Sequence, residues 1–287
     1  MEAKIDTVAV VGAGTMGQGI VQVCAAAGFS VKLFDADANA ASRGLANIRD
    51  NVLTLVARGK LSSAKADELL ARVSIQHRLA EVKADLIIEA IVENLDVKRQ
   101  LLKDLEANNT EHSILASNTS SISVTQMAAV LQHPERVAGL HFFNPATLMR
   151  LVEVIAGAKT STATIQRLLR FVEQIGKQGV AAADAPGFIV NRVARHYYVE
   201  SLKLLEEGVA THAQIDALLR GSGFKMGAFE LMDLIGLDVN FAVTSSLFEA
   251  FHYDPKFRPS RIQQQKVDAG FLGRKTGKGF YEYPDAK

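Results

Sequence analysis

The stretch Val8-Ala9-Val10-Val11-Gly12-Ala13-Gly14-Thr15-Met16-Gly17 decides how the N-terminal part of this chain folds. An apolar run opens into three closely spaced glycines. Ile20, Val23, Cys24 and Ala27 follow at helical spacing, and Gly28 stands where a helix would stop. The order is strand, Gly-rich turn, helix. In such a turn Gly12 permits the sharp reversal and Gly14 lets a pyrophosphate approach the backbone. Gly17 allows the helix to lie close to the strand, and phosphates would meet the positive end of that helix. A second apolar run, Val31-Lys32-Leu33-Phe34-Asp35, ends in a carboxylate at the distance where an adenosine ribose is expected. A lone Gly-x-Gly-x-x-Gly carries little weight, but the whole strand-turn-helix-strand-Asp context makes it a dinucleotide site.

Asp35 also selects the cofactor. A carboxylate accepts hydrogen bonds from both ribose hydroxyls and repels a 2′-phosphate. No Arg or Lys follows it in Asp35-Ala36-Asp37-Ala38-Asn39 to offset that repulsion, so NAD is expected over NADP.

Strands and helices keep alternating. Helical patterns cover Ala38 to about Arg58 and Ser62 to Arg72, and Ala84-Asp85-Leu86-Ile87-Ile88-Glu89-Ala90 reads as a buried parallel strand. A polar helix-forming segment spans about Asp96 to Ala107. Ser113-Ile114-Leu115-Ala116-Ser117 is a further strand, ending in the polar cluster Asn118-Thr119-Ser120-Ser121-Ile122. Ligands of open α/β sheets sit beyond the carboxyl ends of the strands, where Glu93, Asn118, Ser120 and His141 are expected to converge.

His141 lies near the end of the apolar segment Arg136 to Phe143, and Glu153 lies inside a second one, Leu151 to Ile155. An imidazole that takes a proton at neutral pH needs a carboxylate to orient it and hold the resulting charge. These two read as a catalytic base and its partner.

From about Ala185 the character changes. Asp184-Ala185-Pro186-Gly187 is a break, and beyond it no strand pattern returns until Gly279-Phe280-Tyr281-Glu282-Tyr283. The expected organisation is an α/β, Rossmann-type dinucleotide-binding domain over residues 1–184, followed by an all-α C-terminal domain over 185–287. In the second domain a helix is expected from about Gly187 to Glu207 with Gly208 as its stop. Thr211 and Gln214 form a capping-box pattern before Ile215, and a third apolar stretch covers Phe229 to Phe251. Such a domain can close a substrate cleft, dimerise, or both. Asn191, in the first turns of its leading helix, is expected on the side facing the domain boundary.

The composition fits this organisation. A chain of 287 residues, 48% hydrophobic and 22% charged, can bury ordinary cores. A formal net charge of +1 makes no electrostatic case for nucleic acid or a membrane surface, so anionic ligands must be met locally. Cys24, the single cysteine, forms no intrachain disulfide and falls on the apolar face of the first helix, so a small buried residue is the expected role. The first strand begins within a few residues of Met1, and no apolar run approaches membrane-spanning length. A cytoplasmic protein is expected, or a processed organellar one.

Seven stretches together carry a resemblance to a family. They are Gly12-Ala-Gly-Thr-Met-Gly17, Glu89-Ala-Ile-Val-Glu93-Asn94, Ser117-Asn-Thr-Ser-Ser121, His141-Phe-Phe-Asn-Pro145, Leu151-Val-Glu-Val154, Pro186-Gly-Phe-Ile-Val-Asn191-Arg192 and Gly273-Arg-Lys-Thr-Gly-Lys-Gly279-Phe-Tyr281. The chain resembles the short-form 3-hydroxyacyl-CoA dehydrogenases over nearly its whole length. Arg192-Val-Ala-Arg-His-Tyr-Tyr198 and Asp238-Val-Asn-Phe-Ala-Val-Thr244 look most like the branch acting on 3-hydroxyadipyl-CoA.

The resemblance implies roles position by position. His141 would remove the proton from the 3-hydroxyl as hydride leaves the same carbon for NAD, and Glu153 would orient its ring. Ser120 would hydrogen-bond the substrate oxygen near the nicotinamide, and Asn191 would hold the substrate or the catalytic geometry. With Gly12, Gly14, Thr15, Met16, Gly17, Asp35 and Asn118 around the dinucleotide, Glu93, Lys98 and Asn144 match the family's cofactor contacts. The coenzyme A contacts would fall near Asn51 and Arg58, with Lys60 a further basic candidate, and Asn51 stands where Ser is more usual. The implied substrate is an acyl-CoA thioester, of short chain or adipyl type, and the implied assembly is a homodimer through the helical domain. No metal is implied. A related dehydrogenase of a free hydroxy acid, or a non-enzymatic relative of the same fold, is the alternative reading.

The chain departs from the family pattern at Thr147, His196, Lys225 and Ala228, where proline is common. More permissive loops are expected at these positions. Lys225, between Phe224 and Met226, would pair with a terminal substrate carboxylate if it faced the acyl pocket; an exposed loop lysine is the plainer expectation.

Overall fold

The computed structural model describes residues 4–284 and realises the Gly-rich stretch as the centre of a sheet. Strand β1 (Thr7–Val11) pairs in parallel with β2 (Ser30–Phe34) on one side and β4 (Leu86–Glu89) on the other. With β3 (Val73–Ile75), β5 (Ile114–Ser117), β6 (Val137–Phe142), β7 (Leu151–Ala156) and β8 (Gln178–Ala183), the sheet order is β3-β2-β1-β4-β5-β6-β7-β8. Only the β6–β7 pair is antiparallel. Val8 to Val11 and Leu86 to Glu89 are buried throughout, which is why these strands read as continuous apolar runs rather than alternating ones. Strand order reverses between β1 and β4, and a ligand crevice opens at the carboxyl ends beside such a switch point.

Helices α1 (Thr15–Ala26), α2 (Ala38–Ala57), α3 (Ser63–Ala71), α4 (Leu95–Asn108), α5 (Val124–Ala128) and α6 (Thr162–Gln174) accompany the sheet. Ile20, Val21 and Cys24 of α1 join Val10, Leu33, Ile88 and Phe171 in one continuous core. Burial pushes the Cys24 thiol up to about 12. Strands β3 and β8 and helix α6 lie outside the sequence reading. β3 is three residues long and β8 is alanine-rich and half exposed, so neither has the branched, buried pattern of the central strands.

The chain divides between Ala185 and Pro186 into two compact units. The second contains α7 (Val190–Glu206), α8 (His212–Gly221), α9 (Ala228–Ile235), α10 (Leu237–Ala250) and α11 (Arg261–Asp268) around Tyr198, Leu202, Ile215, Phe229, Met232, Leu237 and Phe280. Thr211 and Gln214 form the expected reciprocal cap of α8.

The structure departs from three expectations and divides one apolar stretch whose form the sequence had left open. The leading helix begins at Val190, because Gly187 (φ +72°) holds a turn ahead of it. The apolar stretch Phe229 to Phe251 is two helices bent by 102° at Gly236, whose φ of +104° no helix continues through. His196 and Ala228 sit within α7 and at the first position of α9, not in loops, so lacking proline at 196 lets α7 run unbroken. The Gly279 to Tyr283 segment makes isolated bridges rather than a strand. Buried Asp233 holds it instead, accepting hydrogen bonds from the Phe280 and Tyr281 amides and the Tyr283 hydroxyl. A Cβ on Gly279 would stand 2.0 Å from the Asp233 carboxylate, so packing requires this glycine.

Candidate active site

Each glycine of the opening turn has its own reason. Gly12 has φ +110°, and a Cβ there would lie 2.5 Å from the Ala90 carbonyl oxygen. A Cβ on Gly17 would lie 1.8 Å from the Gly12 oxygen, so α1 can start this close to β1 only with glycine. At Gly14 a Cβ would meet nothing, because the turn faces open space. Gly14 is the N-cap of α1 and no side chain caps the helix there. Twelve aligned peptides thus end in uncapped amide donors beside an open backbone face, an arrangement that fits a pyrophosphate. Asp35, one residue past β2, is tied to the turn, accepting from the Ala13 amide at 2.7 Å and the Asp37 amide at 2.9 Å. Those bonds fix its carboxylate and leave lone pairs for ribose hydroxyls.

His141 and Glu153 are opposite each other in the antiparallel register of β6 and β7. The turn between the strands therefore converts a separation of twelve residues into a cross-strand pair. The His141 Nδ1 lies 2.8 Å from Glu153 Oε2, and both side chains are buried, at 5% and 1% exposure. An ionised carboxylate only accepts, so Nδ1 carries the proton and Nε2 presents its lone pair. That nitrogen is 3.1 Å from the Ser120 hydroxyl, which donates to it. Asn118, one residue past β5, accepts from the Phe142 amide at 2.8 Å and so fixes the strand end that carries His141.

Glu93 gathers the Ser120 turn. Its Oε1 accepts from the Thr119 hydroxyl at 2.6 Å, the Ser120 amide at 3.0 Å and the Ser121 amide at 3.1 Å, and its Oε2 lies 3.0 Å from the Lys98 ammonium. Burial alone would raise this carboxyl, but Lys98 and the hydrogen bonds from Thr119 and Ser120 outweigh it and hold Glu93 below the ordinary carboxylate value. Glu93, Asn118, Ser120 and His141 do converge. Lys98 has no open face: it is 1% exposed and its ammonium lies between Glu93 and Glu89.

A groove of about 480 Å³ runs along α1 and α2. Thr15, Asn51, Arg58, Asn144, Pro145 and Thr147 are among its lining residues. Asn51 and Arg58 are thereby brought beside the turn that follows His141, with Arg58 exposed at the C-terminal end of α2. Lys177, which the sequence reading did not single out, holds that turn: its ammonium donates to the Ala146 and Met149 carbonyls, each at 2.6 Å. Met16 packs against the N-terminal core. Asn191 lies half exposed on the first turn of α7, and Lys225 is exposed. Glu89, Ser117 and Thr119 were also missed as site residues. Their signal was a glutamate inside the apolar run Leu86-Ile87-Ile88, where a carboxylate must find partners.

A dinucleotide turn beside a carboxylate-backed imidazole is the equipment of a hydride-transferring dehydrogenase. Residues 7–185 match the NAD-binding domain model of 3-hydroxyacyl-CoA dehydrogenase, and residues 187–283 match the C-terminal domain model of the same family. The chain belongs to the 3-hydroxyacyl-CoA dehydrogenase family, and its N-terminal unit is that family's NAD-binding domain. It is 48% identical to the 3-hydroxyadipyl-CoA dehydrogenase of Escherichia coli K12 over 99% of its own length and 60% of that protein's. It is 41% identical to the 3-hydroxybutyryl-CoA dehydrogenase of Bradyrhizobium diazoefficiens, covering 100% of this chain and 98% of the relative. A crystal structure of 3-hydroxybutyryl-CoA dehydrogenase from E. coli K12 superposes with a TM-score of 0.97 at 46% identity, over 99% of this chain and 61% of the other. The (S)-3-hydroxybutyryl-CoA dehydrogenase of Ralstonia eutropha gives 0.94 at 40% identity, over 98% and 100%. The chain thus spans about three-fifths of the length of the two E. coli relatives.

Proposed function

We propose that this chain interconverts (S)-3-hydroxyacyl-CoA and 3-oxoacyl-CoA thioesters with NAD, on short acyl chains such as 3-hydroxybutyryl. The observation that carries the reading is the His141 ring, whose Nδ1 is committed to Glu153 and whose Nε2 faces the Ser120 hydroxyl. Bound NAD supplies the acceptor for the hydride that leaves C3. His141 Nε2 takes the 3-hydroxyl proton, so the oxygen never carries a full negative charge as the C3–H bond breaks. Glu153 stabilises the imidazolium and keeps the ring from turning. Ser120, whose hydroxyl lies against the imidazole, donates to the substrate oxygen. In the reducing direction the protonated imidazole returns the proton. Gly12, Gly14, Thr15, Met16 and Gly17 receive the pyrophosphate end of the cofactor, Asp35 its ribose, and Glu93, Asn118 and Asn144 the part nearer the reacting carbon. Asn51 and Arg58 line the groove for coenzyme A, and Arg58 offers its phosphates a cation. Asn191 is assigned to holding the substrate, and the assembly to a cytoplasmic homodimer through the second unit, which light scattering would test.

The name of the 48%-identical E. coli relative favours a second reading, with a 3-hydroxyadipyl thioester as substrate. Loss of NADH absorbance with acetoacetyl-CoA and 3-oxoadipyl-CoA at matched concentrations separates the two. Faster turnover of acetoacetyl-CoA supports the short-chain reading, and faster turnover of the adipyl thioester supports the second. Turnover of neither, with activity on a free 3-oxo acid, would overturn both.

A further inference from the structure

A polar side chain buried in the wall of a groove is held there at a cost unless something hydrogen-bonds to it. Gln22 of α1 is such a residue. It is 7% exposed and lines the groove along α1 and α2. The other polar residues of that lining differ from it: Thr15, Asn51, Arg58 and Asn144 are exposed to water, and Gln18 already donates its amide to the Ala13 carbonyl at 2.7 Å. Among the described residues the Gln22 carboxamide has no hydrogen-bond partner, and neither its oxygen nor its nitrogen is sealed from solvent. The carboxamide is thus the part of Gln22 that reaches the groove. The wall beside it is fixed. Gly19 precedes Gln22 by one turn on the same face, and a Cβ there would stand 2.9 Å from the Ala146 Cβ. Lys177 in turn clamps the Ala146 and Met149 carbonyls, so the groove keeps its shape around the unpaired amide.

We propose that Gln22 is a substrate-binding residue, whose carboxamide hydrogen-bonds the amide-bearing arm between the sulfur and the phosphates of the coenzyme A thioester. Each secondary amide of that arm presents one donor and one acceptor, and a carboxamide answers both kinds. A neutral buried group brings no charge to a phosphate, whereas Arg58 does. The order of chemistry along the groove follows the order along the ligand. Thr15 and Asn144, the latter three residues past His141, lie at the end toward the dinucleotide turn. Gln22 is about 10 Å further along α1. Gly44 of α2 packs against Ala13 and Gln18, and Arg58 lies about 20 Å beyond Gly44 along the same helix. Reacting end, carboxamide and cation therefore succeed one another as acyl group, amides and phosphates do. A free 3-oxo acid has no amide to offer and leaves Gln22 unmet, so the same residue favours thioesters of coenzyme A over the acids themselves.

This inference rests on the acyl-CoA reading proposed above, and its test separates the two. For the full-length wild type and Gln22→Met, NADH-dependent reduction of acetoacetyl-CoA gives kcat and KM. Inhibition of the same reaction gives the Ki of coenzyme A and of adenosine 3′,5′-bisphosphate, which has phosphates but no amide arm. A ligand amide left without its partner loses ~5- to 30-fold in binding, so Gln22→Met is expected to raise the KM of acetoacetyl-CoA and the Ki of coenzyme A by that factor. Its kcat, its NADH affinity by fluorescence and the Ki of the bisphosphate should stay within ~2-fold of wild type. An unchanged KM would overturn the inference. An equal rise in the Ki of the bisphosphate would overturn it too, because Gln22 would then shape the groove rather than touch the arm. Either result spares the acyl-CoA reading, whereas a wild type that reduces free 3-oxo acids and not acetoacetyl-CoA would sink that reading and the inference with it. If circular dichroism shows that Gln22→Met does not fold, Gln22→Ala takes its place with the same expectations and the same contrary outcomes.

Discussion

Glu153 shows how much one carboxylate decides. Opposite His141 in the strand register and almost wholly buried, it sets which ring nitrogen carries the proton and therefore which one turns its lone pair to the Ser120 hydroxyl. Glu153→Gln keeps the shape, but the amide can present its NH2 to Nδ1 and invert the tautomer. We expect kcat to fall ~10²- to 10⁴-fold with NADH affinity retained. Steady-state rates and a fluorescence titration check this, and a loss of under ~3-fold would remove the tautomer argument. Glu93 gives a prediction in pH. Its carboxyl is held below the ordinary value of 4.5, so its contribution to stability is fully present above that value and is lost as pH falls through the lower folded-state value. The thermal midpoint of Glu93→Gln, followed down from neutral pH, should therefore fall less steeply below about pH 4.5 than that of wild type. Parallel acid limbs would contradict this.

Among the elements, the break between α9 and α10 is the one a single residue enforces. Gly236 has φ +104°, and a Cβ there would come within 2.9 Å of the Asp238 carboxylate and 3.1 Å of the Lys275 ammonium. Gly236→Ala should cost about 1–3 kcal/mol, read as a lowered denaturation midpoint with an unchanged slope. Legibility in the sequence followed the same logic of local cause. The central strands were legible because burial on both faces leaves an unbroken apolar run, and the Gly12 to Gly17 turn because Gly12 and Gly17 answer close backbone contacts while Gly14 leaves the helix end open. The His141–Glu153 pair was legible as chemistry, and its register appeared only with the antiparallel turn between β6 and β7. β8 escaped because alanines at a sheet edge carry no strand signature. The Gly236 bend escaped because an apolar run looks the same straight or broken. Asp216 and Asp233 escaped because their partners are distant in sequence: Tyr281 donates to Asp216 across 65 residues, and the amides of Phe280 and Tyr281 donate to Asp233 across 47 and 48. Glu89 was visible as a charge in an apolar strand, but its partners Lys98 and Ser117 come from two other elements.

At the scale of the whole molecule, each unit keeps its own core, and each matches one domain model of the same family. Among the described residues no single helix is long and apolar enough to cross a membrane. Cys24 reports on the N-terminal unit. Buried, with its thiol pushed up to about 12, it should resist alkylation at pH 8 in the folded protein and react only as that unit opens. Labelling by iodoacetamide followed by mass spectrometry should track denaturant unfolding, and rapid labelling without denaturant would contradict the packing described.

The central claim is that His141 is the base of a 3-hydroxyacyl-CoA dehydrogenase, and the most direct measurement compares wild type with His141→Ala in NADH-dependent reduction of acetoacetyl-CoA. The account predicts turnover by wild type and a loss of at least ~10²-fold in the variant, with NADH still bound. Near wild-type turnover by His141→Ala, or no turnover by a wild type that binds NADH, would contradict it.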